Sequence, residues 1–192
     1  MHSSSSPDIP LLIMAYEKIG VFCASSNNMR PVFYERAREL GTWLGRQGKT
    51  LVYGGNNCGL MEALAQATKA AGGTVFGVVP RKLTAAGDIS DAIDITFYCD
   101  DLHDRKQWLI DESDVMVVLP GSVGTLDEAF SALAANAFGM HDKRVIFWNI
   151  DGFYDTLFAF LDQLTGEGVV NKPWTEMMDR ARTFDSLTQL LS

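Results

Sequence analysis

The fold is decided by one stretch of the sequence, Val115-Met116-Val117-Val118-Leu119-Pro120-Gly121-Ser122-Val123-Gly124-Thr125-Leu126-Asp127-Glu128. Its first five residues are continuously apolar, which is typical of a parallel strand buried on both faces. A proline and two glycines then end the strand, and an alanine-rich helix is predicted to run to about Phe138. A strand that leads through a glycine-rich turn into a helix is the repeating unit of a parallel α/β sheet.

The same unit recurs on both sides of this stretch. Apolar runs and helical spacing predict strands at 19–24, 50–53, 74–79, 93–99 and 145–150, and helices at 32–46, 60–71, 101–112 and 154–164. We therefore expect a doubly wound, mainly parallel α/β sheet flanked by helices. Ligands of such sheets bind beyond the carboxyl ends of the strands, where the glycine-rich turns at 54–59 and 120–125 fall.

Composition limits the classes of function. The chain has 192 residues, of which 47% are hydrophobic, so it fits one globular domain. Its 16 Lys and Arg against 24 Asp and Glu give a formal net charge of −8. An acidic protein is a poor nucleic-acid binder, because phosphate backbones need a basic face. One small phosphorylated ligand needs only local positive charge and stays possible.

Targeting and cofactor signals are weak throughout the chain. The three cysteines form no C-x-x-C pair and predict reduced thiols, and the scattered histidines predict no metal site. No apolar run approaches the roughly 20 residues of a membrane helix, so we expect no membrane association and a cytoplasmic location. Residues 1–17 are predicted to be a tag-like or flexible tail, and 18–192 the folded domain.

The two glycine-rich turns each have two interpretations. In the turn at 54–59, glycines let backbone N–H groups approach an anion beside a helix N-terminus, but they also suit a tight turn without a ligand. In the second turn, Thr125 and Glu128 have the spacing of a capping box, in which Glu128 only satisfies a backbone donor. The small residues immediately before Thr125 favour an anion site instead.

Arg105 and Lys106 are the candidate cations. They can belong to a solvated helix face, with Asp101 and Arg105 paired at i,i+4. Alternatively, Arg105 binds a phosphate through two hydrogen bonds and Lys106 supplies a looser charge.

The order of these motifs resembles one family. The chain reads Tyr53-Gly54-Gly55, then His103-x-Arg105-Lys106, then Pro120-Gly121-x-x-Gly124-Thr125-x-x-Glu128, and later Asn149-x-Asp151-Gly152-Phe153-Tyr154. This pattern resembles the LONELY GUY family of cytokinin riboside 5′-monophosphate phosphoribohydrolases over about residues 19 to 170. The P-G-x-x-G-T-x-x-E element with its upstream Arg-Lys is the specific part.

The resemblance implies a single Rossmann-like domain and a hydrolase. Its substrates would be N6-modified adenosine 5′-monophosphates, cleaved at the N-glycosidic bond to a free base and ribose 5-phosphate without a cofactor. Arg105 and Glu128 would be the catalytic pair. The substrate- and phosphate-binding set would be Gly54, Gly55, Lys106, Gly121, Ser122, Val123, Gly124, Thr125 and Asp127, although Asp127 projects from the helix away from Glu128.

The helix N-terminus leads to an expectation about charge. Glu128 is predicted in the first turn of its helix, where the helix dipole favours the anion. We therefore expect an ionised Glu128 that stabilises an oxocarbenium-like state or activates water, rather than a general acid.

Departures from the family pattern keep a second function open. Ser122 and Asn56 stand where the family has glycine, and either Asp88 or Asp91 would supply a substrate-contacting carboxylate. Altered loops can retain binding and lose turnover, so the alternative is a non-catalytic nucleotide-binding or carrier protein of the same fold. Relatives are also labelled lysine decarboxylases, but no lysine is marked as a pyridoxal phosphate carrier.

The resemblance also implies a homodimer. An apolar helix surface is available for it, formed by Phe130, Leu133, Ala137, Phe138 and Met140. The alternative for the same stripe is ordinary core, because a helix packed on a sheet has the same spacing.

Overall fold

A computed structural model describes residues 16–81 and 88–192. Within them strands and helices alternate as β1(Lys18–Phe22), α1(Pro31–Arg46), β2(Thr50–Tyr53), α2(Gly59–Ala70), β3(Thr74–Pro80), β4(Ile95–Cys99), α3(Leu102–Asp111), β5(Val115–Val118), α4(Val123–Ala137), β6(Val145–Trp148), α5(Asp155–Gly166), α6(Trp174–Met177), β7(Met178–Ala181) and α7(Phe184–Leu190). The predicted tail at 1–17 lies outside the described residues except for its last two, and it stays a prediction.

The strands form one sheet in the order β4-β3-β2-β1-β5-β6-β7. Every neighbouring pair is parallel. The chain builds outward from β1 to β4 and then crosses back to place β5 on the other side of β1. This reversal is the topological switch point, where ligands of such sheets bind. The predicted doubly wound, Rossmann-like fold is confirmed.

Both faces of the sheet are covered. One apolar layer contains α1, α2 and α7, and the other contains α3, α4 and α5. Within β5, Val115 and Val117 pack in the first layer, while Met116 and Val118 pack in the second. A strand buried on both faces needs apolar residues at every position, which explains the continuous run that opens the deciding stretch.

The C-terminal part of the chain, which forms one edge of the sheet, contains elements that were not predicted. Strand β7 and helices α6 and α7 follow the last predicted helix. Strand β7 reads Met-Asp-Arg-Ala, and Asp179 in it pairs with Arg144 at 2.6 Å. An edge strand with charged residues lacks the apolar run that marked the other strands. Within the residues described, no helix is long and apolar enough to cross a bilayer.

Candidate active site

A cavity of about 200 Å³ opens beyond the carboxyl ends of the central strands. Its walls include residues 23–25 after β1 and 54–56 after β2. The start of α4 adds Ser122, Gly124 and Thr125, and Asp88, Arg105 and Glu128 also line it. The cavity therefore lies at the switch point between β1 and β5, as the fold predicts.

Arg105 and Glu128 meet inside this cavity. Arg105 Nη1 donates to Glu128 Oε1 at 3.1 Å, and only 15% and 13% of the two side chains are exposed. Arg105 also donates from Nη2 to the carbonyl of Gly54 at 2.9 Å and from Nε to that of Val78 at 3.2 Å. The guanidinium is therefore fixed by the ends of β2 and β3, and it holds the carboxylate in turn.

Gly54 is required by this arrangement. A Cβ at Gly54 would collide with the Arg105 guanidinium and would lie 2.7 Å from Met61 Cε. Gly55 has φ +78°, which favours glycine, and its Cβ would lie 2.5 Å from Val79 Cγ2. The two glycines of the first turn thus make room for neighbouring side chains.

Glu128 differs from the sequence expectation in its position on the helix and in the direction of its pKa shift. Helix α4 begins at Val123, which places Glu128 in the second turn, beyond the strongest influence of the helix dipole. Burial raises the pKa of Glu128 above its ordinary value, and the Arg105 guanidinium opposes part of that rise. The helix dipole is therefore not the stabilising group that the sequence led us to expect, and the cation beside the carboxylate is Arg105.

The capping-box interpretation is also wrong. Ser122 is the N-cap residue of α4 and makes no side-chain capping hydrogen bond, whereas Thr125 lies within the helix and is buried. The first backbone N–H groups of α4 have no acceptor within the helix. Ser122, Gly124 and Thr125 line the cavity, so this N-terminus faces it. A helix end of this kind attracts anions.

The N-terminus of α2, after the first glycine-rich turn, is closed by protein atoms. Gly59 N donates to Asn27 Oδ1 and Leu60 N donates to the carbonyl of Ala24, both at 2.9 Å. The turn at 54–59 contributes Gly54 and Gly55 to the cavity wall, but these two amides are not available to an anion.

Tyr154 supports the second glycine-rich turn from behind. Its hydroxyl donates to the carbonyl of Leu119 at 2.7 Å, and its backbone N–H donates to Asn149 Oδ1 at 2.8 Å. Asn149 Nδ2 in turn donates to Asp155 Oδ1 at 2.7 Å. The start of α5 thus fixes the end of β5, where the turn begins.

The structure does not bring every predicted site residue into the cavity. Lys106 and Asp127 pair with each other at 2.9 Å outside it. Val123 is 81% exposed and also lies outside. Gly121 is not in the wall but packs against Thr125, which leaves no room for a Cβ. Of the two candidates for the substrate-contacting carboxylate, Asp88 lines the cavity and Asp91 does not.

Cys23 is a wall residue that the sequence analysis did not single out. It follows β1 and is buried, and burial together with the Glu128 carboxylate raises the pKa of its thiol. A neutral thiol is a poor nucleophile. Its position in the sequence could have identified it. Cys23 follows the carboxyl end of a central strand, and ligands of such sheets bind beyond these ends at the switch point.

Fold and site together define a Rossmann-like protein with an anion-attracting helix N-terminus beside a buried Arg–Glu pair. The family described as possible lysine decarboxylases matches residues 61–191. The chain is also 33% identical, over 92% of its length and 77% of the relative's, to the cytokinin riboside 5′-monophosphate phosphoribohydrolase LOG5 of Arabidopsis thaliana. The chain belongs to this family of phosphoribohydrolases, the LONELY GUY family.

Two solved structures share the fold. A molybdenum cofactor binding protein from Rippkaea orientalis is 28% identical with a TM-score of 0.71, covering 93% of this chain and 96% of the other. The molybdenum cofactor carrier protein of Chlamydomonas reinhardtii is 26% identical with a TM-score of 0.69, covering 91% and 94%.

Proposed function

We propose that this protein hydrolyses the N-glycosidic bond of adenosine-type nucleoside 5′-monophosphates, including N6-modified ones, to a free base and ribose 5-phosphate. The observation that carries the proposal is the buried Arg105–Glu128 pair, 3.1 Å apart, beside the open N-terminus of α4. The relatives named phosphoribohydrolases supply the class of substrate.

The two parts of the site divide the substrate between them. The first amides of α4 bind the 5′-phosphate, since they lack helical acceptors and carry the positive end of the helix dipole. The ribose then lies over the end of β1, with its anomeric carbon near Glu128. Binding of the phosphate away from the reacting bond fixes the sugar in a reactive position.

Hydrolysis needs a base and a stabiliser of positive charge. As the C1′–N9 bond breaks, its electron pair leaves with the base and C1′ becomes oxocarbenium-like. The oxygen of a water forms the new bond to C1′ while Glu128 takes a proton from that water, and the proton finally resides on the released base. Burial raises the pKa of Glu128, which makes its ionised form a stronger base than an exposed glutamate. Arg105 opposes part of this rise in pKa and orients the carboxylate through its hydrogen bond.

The pH dependence follows from this raised pKa. Activity requires ionised Glu128 and is lost as the pH falls through the pKa of that carboxyl, so the acid limb of the kcat/KM profile should lie above the ordinary value of 4.5. Arg105→Gln removes the cation that lowers this pKa and should move the limb to higher pH. An NMR titration of the Glu128 carboxyl checks both shifts, and a limb at or below 4.5 would contradict the assignment.

The direct test is release of free base. AMP and isopentenyladenosine monophosphate are incubated with the protein, and base and ribose 5-phosphate are quantified. Glu128→Gln should lower turnover by about 10²- to 10⁴-fold while keeping the affinity for ribose 5-phosphate. The matched control is Glu167→Gln, an exposed glutamate at the end of α5, which should retain wild-type turnover.

A carrier protein is the second candidate. It is favoured by the likeness to a molybdenum cofactor binding protein and a molybdenum cofactor carrier protein. Ser122 and Asn56, which stand at family glycine positions, favour it as well. A rise in melting temperature with ribose 5-phosphate, without release of base from either nucleotide, would establish binding and exclude the hydrolase.

We also propose a homodimer. The apolar residues predicted to form one helix surface have different surroundings. Leu133 is buried in the core, whereas Phe138 and Met140 are 86% and 74% exposed. Leu102 and Val123, at the starts of α3 and α4, are also exposed. Exposed apolar side chains of this size favour an interface. Light scattering at micromolar concentration should give twice the chain mass, and Phe138→Asp should give the mass of one chain.

The cytoplasm is the proposed location. Cys23, Cys58 and Cys99 are all free, which suits a reducing compartment.

A further inference from the structure

The side chain of Asn56 carries an acceptor that the protein does not use. Asn56 lines the cavity, and its Oδ1 is buried without a hydrogen-bond partner in residues 16–81 and 88–192. A buried amide oxygen without a donor costs free energy, and such groups are rare unless they have a function.

The backbone around Asn56 is held in place. Asn56 forms a β-bridge with Ile89, Asn57 N donates to the carbonyl of Asp88, and Ser90 N donates to the carbonyl of Gly55, the last two at 3.0 Å. The residues on either side are therefore fixed by the segment at 88–90. The unused acceptor therefore belongs to a residue whose backbone is held on both sides.

Asn56 lies at the opposite end of the site from the helix that attracts the phosphate. It follows β2, whereas α4 follows β5, and β1 lies between these two strands. Two strand spacings separate the two loops by roughly 10 Å. Arg105 spans the interval, because it contacts Gly54 in the first loop and Glu128 in α4. A nucleotide with its phosphate at α4 and its anomeric carbon near Glu128 directs its base toward Asn56.

We propose that the Asn56 carboxamide recognises the edge of the leaving base, with Oδ1 accepting from the exocyclic N6–H and Nδ2 donating to ring N7. A carboxamide presents an acceptor and a donor side by side, which matches that edge of adenine. This assignment rests on the proposed function, which places an adenine-type base in the cavity.

The hydrogen bond from N6–H to Asn56 Oδ1 also explains why nucleotides with a single N6 substituent would be accepted. A monosubstituted N6 retains one N–H for Oδ1, so AMP and N6-modified nucleotides are both accepted. A disubstituted N6, or a purine without the amine, leaves Oδ1 unpaired. The donor side also acts on the reaction, since the electron pair released from C1′ spreads to N7, where the Nδ2 hydrogen bond stabilises it.

The test compares substrates that differ only at the exocyclic position. kcat/KM is measured for AMP, N6-methyl-AMP, N6,N6-dimethyl-AMP and purine riboside 5′-monophosphate, the last of which lacks the amine without adding bulk. Wild type should prefer the first two by about 10- to 100-fold, because the others leave a buried acceptor unpaired. Asn56→Ala should reduce this preference to within about 3-fold of unity, whereas Asn28→Ala, an exposed asparagine outside the cavity wall, should keep it.

A second variant separates the two hydrogen bonds and guards against misfolding. Asn56→Asp has the same shape and keeps an acceptor but loses the donor. It should retain the preference for an N6–H while kcat falls more than KM rises. If both Asn56 variants discriminate like wild type, the proposal is overturned.

Binding distinguishes this proposal from the proposed function. Dissociation constants of the same nucleotides are measured by calorimetry in the Glu128→Gln background, with and without Asn56→Ala. If no form of the protein releases base but Asn56→Ala abolishes the preference in binding, the hydrolase fails and the Asn56 contact stands. Equal dissociation constants for all four nucleotides in the presence of Asn56 overturn the contact, whatever the turnover.

Discussion

The two glycine-rich turns look alike in sequence but are built for different purposes. Each follows a central strand and precedes a helix, and each contributes to the cavity wall. In the first turn, the leading amides of α2 donate to Asn27 and Ala24. In the second, the N-cap residue Ser122 makes no side-chain hydrogen bond to α4, and this helix end faces the cavity. Only the second turn leaves a helix end available to a phosphate.

The difference comes from what packs against each turn. The segment after β1 lies over the start of α2, and a Cβ at Gly59 would lie 2.6 Å from the Ser25 carbonyl carbon. Glycine there allows protein backbone to approach. A Cβ at Gly124 would have no atom of the described residues within 4 Å, so that glycine leaves its space to the cavity. The same residue type therefore serves packing in one turn and ligand access in the other.

Gly54→Ala should have the largest effect, because it breaks the packing role of the first turn. The new Cβ collides with the Arg105 guanidinium and displaces it from Glu128. We expect kcat/KM for AMP to fall by about 10²- to 10³-fold and the free energy of unfolding to fall by about 1–3 kcal/mol. Base release and thermal unfolding measure the two effects.

The control for this variant is Gly166→Ala, at a position in α5 where a Cβ would contact none of residues 16–81 and 88–192 within 4 Å. It should leave both quantities close to wild type. Wild-type kcat/KM in Gly54→Ala would show that the position of Arg105 does not matter to the reaction.

Gly124→Ala should separate binding from stability. Alanine favours a helix over glycine, so the protein should be as stable as wild type or about 0.5–1 kcal/mol more stable. The Cβ takes space beside the phosphate site, and we expect about 10-fold weaker binding of ribose 5-phosphate, equivalent to about 1.4 kcal/mol. Calorimetry and thermal unfolding check this pair of results. Unchanged affinity would place the phosphate elsewhere.

The sequence predicts features that neighbouring residues determine better than features that depend on contacts between residues far apart in the chain. The apolar run 115–119 and the turn after it predict β5 and α4, because local pattern and burial agree there. The spacing of Thr125 and Glu128 allowed both a cap and a site, and only Arg105, 23 residues away, distinguishes them. A local sequence pattern cannot predict a contact of this kind. It also does not predict strand β7, because that strand contains two charged residues and no apolar run.

The closed end of α2 shows the same limit. Asn27 lies in the polar loop between β1 and α1, yet its side chain accepts from the first amide of α2, 32 residues further along the chain. Polar side chains in a loop indicate that the loop can cap a helix. They do not indicate which helix, because the order of the strands in the sheet decides which helix lies beside the loop. These contacts occupy the first two amides of α2, which the local sequence of the first turn does not reveal.

Asn27→Ala should test the closed turn with a moderate effect. Loss of the hydrogen bond to Gly59 N should lower the free energy of unfolding by about 1 kcal/mol. KM for AMP should stay within about 2-fold, because the freed amide faces the segment after β1. Chemical denaturation and steady-state kinetics give the two values, and Asn28→Ala is the neighbouring control. A several-fold change in phosphate affinity would mean that the first turn also takes part in anion binding.

Ser122→Gly should have the smallest effect and sharpens the account of the open turn. The Ser122 side chain makes no capping hydrogen bond to α4, so its removal should change the free energy of unfolding by only a few tenths of a kcal/mol. If backbone amides bind the phosphate, glycine keeps every donor and kcat/KM should remain within about 3-fold. A loss of 10-fold or more in ribose 5-phosphate affinity would instead assign the binding to the Ser122 hydroxyl. The serine would then be a functional replacement for the family glycine, and the second turn would bind its ligand through a side chain as well as through the helix end.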